Sequence, residues 1–264
     1  MPSRKAKPEK RKLRVCLYGD SNLAALRLAF NEGYDPGDDV EVSFFGAQGP
    51  AFRQLRQTKD GVQADKKLIN GKELISTDGR SGIKPSDFDA ILFIGARLRA
   101  HEYFHAVMPG LFHRDRSLSL AVREAMTAKF LSSCRSVRIA TLFSSNGMPF
   151  VAFAPSGFLN EGLSKSHRWE ELAGIEIAKQ TDRAAIWSVL EEELSKRGVT
   201  LIAQPEETVA SGCLTKAQYA VDDAKALGDA VHKNEAYGKI ILDHFFGSKE
   251  FAALRVPVRE SELS

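Results

Sequence analysis

Eight residues near the start of the chain, Val15-Cys16-Leu17-Tyr18-Gly19-Asp20-Ser21-Asn22, contain a change of pattern that decides the fold. Leu13 to Tyr18 is a short, nearly continuous apolar run, the composition of a strand buried on both faces of a parallel sheet. The run stops at Gly19-Asp20. From Asn22 to Asn31 the pattern is helical, with Leu23, Leu26 and Phe30 on one face beside the helix-favouring Ala24, Ala25 and Ala29. Ser21 therefore falls on a strand-to-helix turn at the carboxyl edge of a first strand. Ligands of open α/β sheets bind at that edge, where a helix N-terminus offers unpaired N–H groups. The local pattern leaves two uses open: Asp20 or Ser21 capping the helix, or Ser21 acting on a ligand.

Working outward, Val40 to Phe45 alternates as a second strand and ends in the glycine-rich turn Gly46-Ala47-Gln48-Gly49-Pro50. Strand, helix and strand at this spacing make a βαβ unit. Phe88 to Ile94 is a third, strongly apolar strand that closes on Gly95-Ala96-Arg97. Val137 to Phe143 is expected as a fourth parallel strand, with Ser144 to Pro149 turning off it at the same edge, and Val199 to Ala203 as a fifth. Helices are expected over Leu118–Leu131, Arg183–Lys196 and Tyr237–Phe246. Asn70-Gly71, flanked by Lys67-Leu68-Ile69 and Glu73-Leu74-Ile75, predicts a small inserted β-hairpin over Lys66–Ile75. Phe150 to Lys165 has the length of a lid or substrate loop. The sum is an α/β chain with a mostly parallel five-stranded sheet, one domain over 13–247, a disordered basic tail over 1–12 and a loosely ordered tail over 248–264.

Bulk composition narrows the function classes. The 264 residues are 43% hydrophobic and 27% charged, ordinary for a soluble globule. Net charge is +3, but Met1 to Arg14 alone carries +6, so the remainder is at −3. A slightly acidic body gives no support to nucleic-acid binding. Three widely spaced cysteines without a C-x-x-C, Cys16, Cys134 and Cys213, fit thiols in a reducing compartment, and Cys16 reads as a small core residue. The sequence contains neither an apolar run of membrane-spanning length nor a signal-peptide pattern at its start, so a cytoplasmic location is the default expectation. Neither G-x-G-x-x-G nor a P-loop follows any strand, which argues against a nucleotide-binding protein.

Two further motifs carry chemistry. His101-Glu102-Tyr103-Phe104-His105 matches H-E-x-x-H, whose helical spacing puts two imidazoles on one face for zinc with the glutamate as general base. Glu124 is the nearby third ligand that such a site needs. Pro109-Gly110 would end the helix within a turn, and the competing reading is a wall of the cleft. The second motif is Asp229-x-x-His232, just before the last helix. A serine hydroxyl becomes a useful nucleophile when a neighbouring base takes its proton, and a carboxylate on the base's other ring nitrogen fixes its tautomer.

Gly19-Asp20-Ser21 after the first strand, together with Asp229-x-x-His232 before the last helix, resembles the SGNH/GDSL serine hydrolases. The ending His232-x-Asn234-x-x-Tyr237-Gly238 resembles their bacterial branch, in which the base opens the final helix. The resemblance spans residues 13 to about 245. It implies a flavodoxin-like, three-layer α/β/α sandwich and an esterase or acyl/O-acetyl transferase acting on a small-molecule or glycan acyl ester, with no metal or organic cofactor. It further implies Ser21 as nucleophile, His232 as base and Asp229 as the residue orienting it. The oxyanion hole is implied at Ser21 N–H and Gly46 N–H, with Gly49 a second choice. The family's third donor, an asparagine after the third strand, is replaced here by Arg97. Asp20, Asn22, Arg97 and Asn146 are the expected substrate contacts. The competing function on the same fold is a binding or regulatory protein with catalysis weakened at Arg97.

Overall fold

A computed structural model describes residues 11–107, 118–163 and 177–256. Strand β1 (Leu13–Gly19) leads through the Asp20–Asn22 turn into helix α1 (Leu23–Asn31), as its pattern dictates. Strand β2 (Val40–Ala47) then runs parallel to β1 from Leu13 opposite Val40 to Gly19 opposite Gly46. Next come the short strands β3 (Leu55–Gln57) and β4 (Val62–Ala64), helix α2 (Lys66–Asn70), and the short strands β5 (Leu74–Ser76) and β6 (Gly82–Ile83). Strand β7 (Ala90–Arg99) comes after them, then helices α3 (Ala100–Val107), α4 (Leu120–Ser133) and α5 (Arg135–Ser145). Strands β8 (Phe150–Ser156) and β9 (Leu159–Asn160), helix α6 (Gln180–Ser195) and strands β10 (Thr200–Leu201) and β11 (Leu214–Thr215) complete the middle of the chain. Helices α7 (Ala224–Leu227), α8 (Glu235–Phe246) and α9 (Lys249–Leu254) close it.

The central sheet has six strands in the order β10-β8-β7-β1-β2-β5, one more than expected. The first five named are mutually parallel, and β5 is an antiparallel edge with Ile75 opposite Gly46. Alternate residues of each inner strand enter separate apolar cores. Cys16, Tyr18, Ile91, Phe93, Val151 and Phe153 join one; Val15, Leu17, Leu92, Ile94, Ala152 and Ala154 join the other. Helices α5 and α6 contribute to the first, α1 and α8 to the second. A strand buried on both faces has no polar side to show, which is why β1, β7 and β8 read as continuous apolar runs. Each fully buried large apolar side chain contributes about 1.5–3 kcal/mol. Among the described residues no helix is long and apolar enough to cross a membrane.

Four expectations are corrected. Val137–Phe143 lies in helix α5, where Ser136, Val137, Ile139, Ala140 and Phe143 are buried at helical spacing; the strand is β8, inside the segment expected as a lid. Asn70-Gly71 makes no hairpin. Asp65 caps α2 by accepting the Leu68 N–H, and Gly71 is extended at φ −89°, whereas a tight hairpin turn there needs positive φ. The inserted hairpin is β3–β4, closed through Asp60-Gly61 with Gly61 at φ +157°. The segment after Gly247 forms α9, capped by Ser248, with Phe251 fully buried against Phe245 and Phe246. Of the basic tail, residues 1–10 lie outside the described residues, as do 257–264, Pro109-Gly110 and the Lys165 end of the expected loop. Arg11, which is described, is ion-paired with Asp89.

Candidate active site

Parallel strands align their carboxyl ends, so the turns leaving β1, β2, β7 and β8 gather at one edge. Glycine allows these ends to meet closely. A Cβ on Gly46 would stand 2.0 Å from the Gly19 carbonyl oxygen, and one on Gly19 would stand 2.4 Å from that of Ile94. The Asp20-Ser21-Asn22 turn emerges at this edge.

Asp20 organises the turn. It is 5% exposed, and its Oδ1 accepts the Asn22 backbone N–H at 3.1 Å and side-chain Nδ2 at 2.6 Å. Its Oδ2 accepts the Arg97 backbone N–H at 3.1 Å. Both oxygens are occupied by protein donors, and Asn22 folds back on Asp20, so these two expected substrate contacts serve the turn's own geometry. Arg97 is in an unusual backbone: Gly95, Ala96 and Arg97 have φ of 61°, 45° and 66° in succession. Left-handed conformations at non-glycine residues are costly and collect where a structure over-determines them, here at the irregularity between Ile94 and Arg99 in the β7–β8 pairing. The strain aims the Arg97 N–H at Asp20 and lays its guanidinium against the same carboxylate, Nε at 3.8 Å, while Nη2 donates to the Gly49 carbonyl.

The other half of the site comes from the far end of the chain. Asp229 Oδ1 accepts the backbone N–H groups of Val231 and His232, both at 3.0 Å, folding 229–232 into a tight turn. Asp229 Oδ2 lies 2.7 Å from His232 Nδ1, and His232 Nε2 lies 2.8 Å from Ser21 Oγ. Burial acts to raise the Asp229 carboxyl, but the hydrogen bonds from the His232 backbone, the His232 ring and the Val231 N–H outweigh it and hold it below its ordinary value. The structure thus brings together Ser21, His232 and Asp229, three of the residues singled out in the sequence. The array can pass a proton from hydroxyl to imidazole while a carboxylate steadies the cation that forms.

Other expected residues stand elsewhere. Strand β2 continues to Ala47, so Gly46 is a buried sheet residue between Gly19 and Ile75, and Gly49, at φ +48°, lies in the 3-10 turn Gly49–Gln54. Asn146 is exposed at the end of α5, ahead of β8, and so sits at the amino edge of the sheet, across from Ser21; it moved because the segment before it is a helix. In the H-E-x-x-H match, His101 is buried and His105 exposed, while Glu102 is ion-paired with Arg99. Among the described residues no group of three or more His, Cys, Asp or Glu could hold a metal, so Glu124 completes no such set.

Two residues that carry no mark in the sequence support the 229–234 turn, and a third holds the segment beside it. Asn160, on β9 and fully buried, donates its backbone N–H to the Ala230 carbonyl at 2.8 Å and its Nδ2 to the carbonyls of Asp229 and His232, both at 3.2 Å. Lys233, 4% exposed, donates Nζ to the carbonyls of Phe158 and Val231, each at 2.8 Å. Burial pushes its ammonium down to about 7, opposed by the Asp229 charge. Gln204 holds the segment after β8 by accepting the Phe158 N–H at 2.7 Å. An asparagine in a two-residue strand and a lysine beside a histidine give no local signal; their role exists only once β8 and the turn meet.

No protein-family model matches the chain, and no curated protein matches it. Among solved structures it is similar to the periplasmic domain of a lipopolysaccharide acetyltransferase from Salmonella ser. Paratyphi A, at 14% identity over 90% of this chain and 84% of that one, with a TM-score of 0.38.

Proposed function

We propose that the chain is a serine hydrolase or acyltransferase of the SGNH/GDSL type that cleaves an ester-linked acyl group. The observation that carries this reading is the contact between chain ends: Ser21 Oγ 2.8 Å from His232 Nε2, with His232 Nδ1 2.7 Å from Asp229. In the proposed reaction His232 removes the Ser21 proton as Oγ attacks the ester carbonyl, giving a tetrahedral oxyanion. Collapse breaks the C–O bond, and the imidazolium returns its proton to the leaving alkoxide. Water, or an acceptor hydroxyl deprotonated by the same imidazole, then attacks the acyl-serine; the acyl–Oγ bond breaks, the imidazolium returns the proton to Ser21 Oγ, and the acyl group leaves as acid or new ester. The Ser21 backbone N–H, with Arg97 nearby, is the proposed oxyanion donor. The proposed substrate is a small-molecule or glycan acyl ester, and the proposed residue roles require no metal.

The test is covalent. A fluorophosphonate probe should label Ser21, and Ser21→Ala should lose both labelling and p-nitrophenyl acetate turnover while its circular dichroism stays unchanged. Turnover that survives in Ser21→Ala removes Ser21 from the chemistry. One observation favours the second reading, a binding protein with weakened catalysis. Arg97 stands where the family's asparagine donor would be, and its guanidinium is engaged by the Gly49 carbonyl and Asp20. A missing oxyanion donor costs about 2.7–4 kcal/mol, roughly a hundred- to thousandfold in rate. Absence of labelling in the folded wild type selects this alternative.

A further inference from the structure

Arg97, bound to the Asp20 carboxylate of the Ser21 turn, also lines a cavity of about 370 Å³, at the small end for ligand pockets. Three arginines from three separate elements line it. Arg97 comes from β7, Arg53 from the 3-10 turn after β2, and Arg135 from the first turn of α5. Asp20 sits against Arg97, and the one carboxylate among the described lining residues, Glu102, is ion-paired with Arg99. Among the described residues, Arg53 and Arg135 are therefore in excess.

The Arg135 charge is held in place. Arg135 donates to the backbone carbonyls of Arg53 at 3.0 Å and Phe52 at 2.8 Å, with its guanidinium 5.9 Å from the Phe52 ring centroid. This locks the turn carrying Arg53 to the start of α5, so both arginines project from one fixed seam. Guanidinium groups gathered in a partly enclosed space repel one another, and an anion with paired oxygens relieves that repulsion while matching their planar forks. Phe130, half-buried in the same wall, offers an aromatic face, and Ser133 lies beside it. Arg97 links the cavity to the nucleophile, since its backbone N–H is bound by the Asp20 carboxylate that shapes the Ser21 turn.

We propose that this cavity is the subsite for an anionic sugar unit of the substrate, a carboxylate or phosphate gripped by Arg53 and Arg135 with the ring against Phe130. The proposal rests on the Ser21 reading for which bond is cut, but binding at the cavity is measured without turnover. Calorimetric titration of the full chain with glucuronate, glucose 6-phosphate and glucose separates the sources. Either anion should bind at least tenfold more tightly than glucose and weaken as salt is raised; which of the two binds better identifies carboxylate or phosphate. Arg53→Gln, a change at an exposed side chain, should weaken the preferred anion at least tenfold, and Arg53→Lys should restore part of the loss. Arg135→Gln should do the same, and if that variant fails to fold, Arg53→Gln decides alone. Equal affinity for glucose and both anions, or anion binding unchanged in Arg53→Gln and in any folded Arg135→Gln, overturns the subsite. Failure of the fluorophosphonate test with anion binding intact overturns only the hydrolase reading. Labelling at Ser21 without anion preference overturns only the subsite.

Discussion

Asp229 does three things with two oxygens: it closes the turn through two backbone N–H groups and fixes the ring of His232. Asp229→Asn keeps the volume but replaces one acceptor with an N–H donor. An amide nitrogen facing Nδ1 selects the tautomer with its proton on Nε2, where it cannot accept from Ser21. The expected result is a fall in kcat/KM of about 10³–10⁴-fold with the fold retained. The same carboxyl titrates below its ordinary value of 3.8, so its contribution to stability is complete above that value and is lost as pH falls through the lower folded one. Urea midpoints from pH 5 to pH 2 should therefore decline more steeply in the wild type than in Asp229→Asn. Lys233 acts in the same sense at higher pH. Its folded value of about 7 lies below the ordinary 10.5, so between these the unfolded chain binds more protons and stability rises with pH. Neutral Nζ still has two N–H groups for its two carbonyl partners. The thiols of Cys16 and Cys213, raised by burial above 9.0, reverse the trend as the unfolded thiols ionise, which leaves pH 7 to about 8.5 as the clean window. The midpoint should climb across that window in the wild type and stay level in Lys233→Met; equal slopes would exclude Lys233 as the source.

Among the elements, α9 offers the sharpest stability test. Phe251 is fully buried against two rings of α8, so Phe251→Ala should cost about 3–5 kcal/mol, read as a lowered urea midpoint with the m-value unchanged. A loss below 1 kcal/mol would return the segment to the loose tail its sequence suggests. Physical causes separate the elements that are legible in the sequence from those that are not. Strand β1, the Ser21 turn and α1 are legible because a buried strand, a glycine stop and an amphipathic helix each leave a local mark. Helix α5 is not, because Val137, Ile139, Thr141 and Phe143 alternate while the buried set Ser136, Ile139, Ala140, Phe143 repeats at helical spacing. One stretch fits both periods, and only packing against β7 and β8 chooses between them. Asn70-Gly71 favours a hairpin only if both flanks can pair, and the Asp65 cap draws the first flank into α2. Reading α5 as a strand is also what puts Asn146 at the wrong edge of the sheet. The left-handed run at Gly95–Arg97 has no local sign, because neither alanine nor arginine favours that backbone.

Across the whole molecule, Ser21 and His232 are separated by 211 positions in sequence yet sit 2.8 Å apart. Their distance is set by two helices, because α1 starts two residues after Ser21 and α8 three residues after His232. These helices share one core, and Gly238 in the first turn of α8 lies against the backbone of α1. A Cβ on Gly238 would stand 2.2 Å from the Ala25 carbonyl oxygen and 3.0 Å from the Leu26 nitrogen, both backbone atoms. Gly238→Ala must therefore move one helix away from the other near the ends that carry Ser21 and His232. A displacement near 1 Å at reacting groups costs about a hundredfold. Gly238→Ala should thus lose about that factor in kcat/KM and in the rate of fluorophosphonate labelling, measured where circular dichroism shows the variant folded. Ile241→Val, one turn further along α8 in the same core, controls for stability: it should cost about 0.5–1.5 kcal/mol and leave the labelling rate at the wild-type level. If Gly238→Ala lowers the melting temperature but labels as fast as Ile241→Val, the seam between α1 and α8 supports the fold without setting the distance between hydroxyl and imidazole.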